Sequence, residues 1–124
     1  MPTSIFDTYQ TDGSANQIFL NIQIGFAQLG STAVSVDGVP IVITPPADAA
    51  GNYRNDFTIP LGTNAALAGR VLQIISNVNI IQPPGNSSVS INLSGGTAPQ
   101  QYLLDSTGAA VGDVVNYFAS ITFL

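Results

Sequence analysis

Cysteine, lysine, glutamate, histidine and tryptophan are all missing from this chain, and each absence excludes a chemistry. Without cysteine there is no disulfide, no thiol nucleophile and no zinc-thiolate site. Without histidine, glutamate, lysine or cysteine the side chains that usually carry general acid-base work at neutral pH are gone, and a serine nucleophile has no activating base. Two aspartates flanking a glycosidic bond, such as Asp56 with Asp113, are the one remaining catalytic pair, and spacing along the chain does not bring them together. The sequence therefore reads as non-enzymatic.

Charge is scarce as well, at 7% of residues against ~25% in ordinary globular chains. All seven acids are aspartate, and Arg54 and Arg70 are the only cations, giving a net charge of −5. Two scattered arginines make no track for phosphates, so no nucleic-acid partner is expected, and anionic membranes are equally disfavoured. No apolar run approaches the ~18 residues of a membrane-spanning helix, and the start, Met1 to Asp7, has no cationic region ahead of a long apolar stretch, so no signal peptide is visible. An outer-membrane barrel would need aromatic girdles and lipid-facing apolar residues on every strand, which the tryptophan-free pattern does not supply.

What is present is alternation. Ile18, Leu20, Ile22, Ile24 and Phe26 are interleaved with Asn21, Gln23 and Gly25, the period of a strand with one buried face. Asp37-Gly38 lies between two such runs, Val34 to Val36 and Val39 to Thr44, and supplies the positive φ angles of a tight hairpin. Pro40 places the second run at an edge or a bulge, because it cannot donate to a ladder. Further strands are expected over residues 54–61 (Asn55, Phe57, Ile59 and Leu61 inward), 70–82, 88–93, 100–104 and 114–124. Residues 64–68 suit a single helical turn. On the last strand Val115, Tyr117, Ala119, Ile121 and Phe123 share a face, which ties the end of the chain into a sheet.

The expected fold class is all-β: one domain, an antiparallel β-sandwich or jelly roll of about eight strands. A faint internal echo divides it in two. Gln17 to Ile24 resembles Gln73 to Ile80, Val34-Ser35-Val36-Asp37 resembles Val89-Ser90-Ile91-Asn92, and Gly51 to Phe57 loosely resembles Gly112 to Phe118. The order is preserved, which suggests four-strand half-repeats over 17–62 and 73–124. Residues 1–16, polar and turn-rich, read as an N-terminal arm ahead of the sandwich at 17–124, with Ile5, Phe6 and Tyr9 as its anchors.

Function is expected to be structural. A weakly charged β surface has no lysine to block edge-to-edge association, so the leading expectation is a self-assembling subunit whose arm docks on a neighbour's sheet edge. A surface appendage, a coat or a phage-type particle would suit it, which favours the cell surface or an extracellular particle as its location. The partner is then another copy of the chain. The alternative is a lectin-like carbohydrate-binding module using Asn52, Tyr53, Asn55, Asp56, Tyr102, Asp113 and Asn116, by aromatic stacking and amide hydrogen bonds. No cofactor is expected for the leading reading. For the alternative, Ca²⁺ on Asp48, Asp56, Asp105 and Asp113 is the ion that oxygen ligands suit, although aspartate and asparagine also sit in β-loops simply as turn formers. The sequons at Asn86 and Asn92 are what an Asn- and Ser-rich chain produces freely.

Overall fold

A computed structural model describes residues 3–41 and 56–124. Among these residues nine strands form two sheets: β1 (Ser4–Tyr9), β2 (Gln17–Gly25), β3 (Leu29–Val36), β4 (Val39–Ile41), β5 (Asp56–Thr63), β6 (Val71–Asn79), β7 (Ser87–Ser94), β8 (Gln100–Ser106) and β9 (Val114–Phe123), with one helical turn, α1 (Asn64–Leu67), after β5. The order is β1-β9-β6-β3-β4 in the first sheet and β5-β2-β7-β8 in the second. Every pairing is antiparallel except that of β1 with β9, which is parallel.

Alternation explains which residues are inside. On β2, Ile18, Leu20 and Ile22 are fully buried, and they meet Leu72, Ile74 and Val78 of β6, Val89, Ile91 and Leu93 of β7 and Tyr117, Ala119, Ile121 and Phe123 of β9 in one core cluster. Each such aliphatic side chain contributes about 1.5–3 kcal/mol by leaving water, and a one-residue slip of any strand would turn its whole set outward. The hairpin at Asp37-Gly38 is present: φ is +50° and +81° at these residues, and Val36 pairs with Val39 across a two-residue loop. Pro40 lies on β4, an edge strand, where a missing donor is tolerated.

Three parts of the sequence reading are corrected. First, the strands among the described residues number nine, split five and four, because residues 4–9 are a strand in the chain's own sheet. Tyr9 is buried against Phe123 with ring centroids 6.1 Å apart, and Ile5 packs on the core. Those two side chains hold the segment down. Second, β3 begins at Leu29 rather than Val34. Its inward positions there are Gly30, where a Cβ would come within 2.4 Å of Ile24 Cδ1, and Thr32, whose hydroxyl shares a buried 2.8 Å hydrogen bond with Ser76. Third, Phe26 is exposed, since β2 ends at Gly25 and Phe26 and Ala27 both take left-handed backbone conformations.

The neighbour relationships of the two halves coincide. β2 lies between β5 and β7, β6 lies between β9 and β3, and β3-β4 and β7-β8 are the two hairpins that complete the sheets. The residue matches follow this less closely, since Phe57 points inward while Phe118, its counterpart in the echo, points outward. Residues 51–55 of that match lie outside the described residues.

Two buried amides fasten the ends of the sandwich. Gln28 donates to the carbonyls of Gln82 (3.0 Å) and Asn86 (2.9 Å) and accepts from the N–H groups of Ile81 (2.7 Å) and Gln82 (3.0 Å). Asn64 donates to the carbonyls of Asn16 (2.9 Å) and Gly95 (2.8 Å) and accepts from Asp12 N–H at 3.0 Å. It thereby joins the β1–β2 connection, α1 and the β7–β8 turn. Gly95, at φ +97°, has no room for a side chain, since a Cβ would lie 2.1 Å from Gln17 O.

Replacing Asn64 by alanine takes this partner from Gly95 O and Asp12 N–H, while Asn16 O keeps the Asn64 N–H as donor, and an unsatisfied buried group costs about 1–3 kcal/mol. The expected loss is about 2–4 kcal/mol in urea denaturation with an unchanged m-value. A loss below about 1 kcal/mol would show that the clamp is not needed.

Candidate functional site

The described residues offer two outer sheet faces and the strand edges, and the faces differ in chemistry. On the five-stranded sheet the outward positions alternate with the core residues and carry no aspartate or arginine. An apolar row crosses this face: Phe6 on β1, Phe118 on β9, Ile75 on β6 and Ala33 on β3. Ile75 pairs in register with both Phe118 and Ala33, and the Phe6 and Phe118 rings are 5.7 Å apart at a 53° tilt. Phe6 is 74% and Ile75 45% exposed. With strands ≈ 4.8 Å apart, the row runs about 14 Å across serine, threonine, asparagine and glutamine neighbours.

The outward face of the four-stranded sheet is an amide network. Asn21 Nδ2 lies within hydrogen-bond reach of Asp56 Oδ1 (3.1 Å), Phe57 O (3.2 Å) and Thr58 Oγ1 (3.0 Å). Asn92 Nδ2 donates to Asn21 Oδ1 (3.1 Å) and Ser90 Oγ (3.3 Å), and Gln101 Nε2 donates to Ser90 Oγ at 2.9 Å. Register explains the row, because Thr58, Asn21, Asn92 and Gln101 stand opposite one another on β5, β2, β7 and β8. Beside it Gln23, Gly25, Asp56, Ser88 and Ser90 line a shallow, open depression of about 440 Å³.

The edges differ too. β4 carries Pro40 and β5 carries Pro60, whereas β1 and β8 contain no proline. Hydrogen bonds from Phe118 N to Thr3 O and from Leu124 N to Tyr9 O turn the odd-numbered residues of β1 toward β9. The main-chain groups of Ser4, Phe6 and Thr8 therefore face outward. At Thr8 both are occupied: its N–H donates to Asp7 Oδ1 (2.8 Å) and its carbonyl accepts from the Tyr102 hydroxyl (3.1 Å).

Among the described residues, those that the sequence suggested for ligand binding are dispersed. Tyr102 is a core residue, 4% exposed. Asp56 belongs to the amide network, Asn116 lies on the outward face of the other sheet, and Asp113 caps its own turn by accepting from Ala110 N–H at 3.0 Å. Asp105 faces outward at the end of β8, paired in register with Ser88. Asn52, Tyr53, Asn55 and Asp48 lie outside the described residues, among which no group of three or more acidic side chains could hold a metal ion. Asn21, Asn92 and Gln101 carry the network instead. Their signal in the sequence was present but uninformative, because each occupies the polar phase of an ordinary strand.

Burial, with the nearby Asp7 charge and then Tyr9 adding to it, pushes the Tyr102 phenol up to about 12. Burial likewise raises Tyr117, whose hydroxyl shares a 2.6 Å hydrogen bond with Ser87. A phenol raised in the folded state binds its proton where the unfolded chain has released it. Its stabilising contribution is therefore full below pH 10 and disappears as the pH climbs through about 12. Urea midpoints should fall over that window, and less steeply in Tyr102→Phe; a parallel fall in both proteins would count against the assignment.

Comparison with family models, with curated proteins and with solved structures gave no match to this chain.

Proposed function

We propose that this chain is a non-enzymatic structural subunit that assembles with copies of itself, using the outward face of the five-stranded sheet and the β1 edge. The supporting observation is the apolar row that starts at Phe6 on a face with no charged side chain among the described residues. A chain of net charge −5 with two cations repels its copies over most of its surface. Contact is least opposed where charge is absent, and there Phe6, Phe118 and Ile75 supply area to bury. A twofold axis through the row would set it against itself, the self-complementary arrangement of an isologous dimer. The open main-chain groups of Ser4 and Phe6 add a short stretch for strand addition.

The N-terminal segment keeps a part in this reading, with its roles divided. Ile5 and Tyr9 hold β1 on its own sheet, and Phe6 is the outward anchor. Deleting residues 2–12 would take Tyr9 from the core, so point changes are the cleaner test. The non-enzymatic part of the proposal rests on the missing acid-base residues and on the dispersal of the described aspartates. A coat, an appendage or a phage-type particle would each use such a subunit.

Sedimentation at micromolar concentrations should show species heavier than the 12.8 kDa chain. Phe6→Asp or Ile75→Asp, each placing a charge in the row, should weaken association at least about tenfold, equivalent to ~1.4 kcal/mol, with the melting temperature nearly unchanged. A wild-type chain that stays at monomer mass would overturn the proposal.

A further inference from the structure

The four-stranded sheet presents a different surface, one whose ordered polar side chains keep hydrogen-bonding capacity to spare. The amide nitrogens of Asn21 and Asn92 are engaged within the network, as is that of Gln101 toward Ser90. No donor among the described residues reaches Asn92 Oδ1, Gln101 Oε1 or the second carboxylate oxygen of Asp56. Ser90 Oγ accepts twice, which leaves its own proton as a donor. The face thus displays fixed acceptors, with the Thr58, Ser88 and Ser90 hydroxyls and the Gln23 amide beside them as donors.

Apolar side chains flank them. Phe19 is 42% exposed and follows the same outward phase of β2 as Asn21 and Gln23, about 6.6 Å from Asn21 along the strand. Leu103 is 55% exposed and pairs in register with Ser90. An aromatic ring beside oriented polar groups is the pairing that receives an amphipathic ring with a C–H face and a hydroxyl rim.

We infer that this face, from Phe19 across the Asn21–Asn92–Gln101 row into the depression at Gln23, Asp56 and Ser88, binds a neutral saccharide chain. Fixed acceptors beside hydroxyl and amide donors match a ligand whose hydroxyls both donate and accept. Asp56 beside the depression and Asp105 at the end of β8 disfavour an anionic ligand, and no acidic group of three stands among the described residues to hold a cation instead. The network also fixes its side chains before any ligand arrives, which lowers the ordering cost of binding. The site is independent of the apolar row, which lies on the opposite sheet.

The test is a titration of the labelled protein followed by amide NMR shifts, with malto-, cello-, xylo- and mannohexaose as separate probes and an uncharged Gly-Ser hexapeptide as control. At least one hexaose should bind with a millimolar or tighter dissociation constant and move resonances of β2 and β7. Phe19→Ala and Asn92→Ala should each weaken that binding about tenfold or more, with folding confirmed by retained shift dispersion. Phe6→Asp should leave it unchanged even where it abolishes self-association. The inference is overturned if no hexaose moves these resonances, if both substitutions leave affinity intact, or if the hexapeptide produces the same shifts.

Discussion

Strict two-residue alternation is the constraint from which the rest of this structure follows. Each strand of the inner layers commits one phase of its side chains to the space between the sheets, where Ile18, Leu20, Leu72, Ile91, Tyr117 and Phe123 are closed off from water. That commitment fixes register and leaves the opposite phase free of any packing duty. In most soluble proteins that phase is filled with lysine and glutamate. Here neither residue occurs, and hydroxyls and amides stand in their place.

The two outer faces resolve this shortage differently. On the five-stranded sheet, small polar side chains surround a line of Phe6, Phe118, Ile75 and Ala33, so the surface is neutral and partly apolar. On the four-stranded sheet, Asn92 bonds to Asn21 across the strands and Gln101 to Ser90, so the surface is stiffly polar, with Asp56 and Asp105 as its charges. Both arise from one backbone plan, since the two sheets share the same neighbour relationships apart from the added β1. The sandwich is thus symmetric in its connections and asymmetric in what it shows to its surroundings.

Much of the fold was legible because alternation is a local signal. The phases of β2, β5, β6, β7 and β9 and the turn at Asp37-Gly38 could be read directly from the chain. What could not be read depends on distant partners. β1 has only Ile5 and Tyr9 to pack and becomes a strand because β9 offers an edge beside it. The start of β3 was obscured because Gly30 and Thr32 face inward, one making room for Ile24 and the other bonded to Ser76. Gln28 and Asn64 belong to no pattern, and their value comes from the loops they join. The site was less legible than the fold: Tyr102 looked like a ligand-stacking residue and is core, while the polar phase of β2 and β7 looked like plain solvent-facing surface and forms a connected row.

The way Thr8 is closed off has a consequence for growth. With Asp7 and Tyr102 already holding its main-chain groups, a visiting strand can zip along only the leading portion of β1 before it meets groups with nothing left to offer. A ladder begun there is cut short by the fold itself. Whatever gathers on this side is restrained from lengthening into an amyloid-like stack, and a side made without lysine still carries a brake against runaway polymerisation.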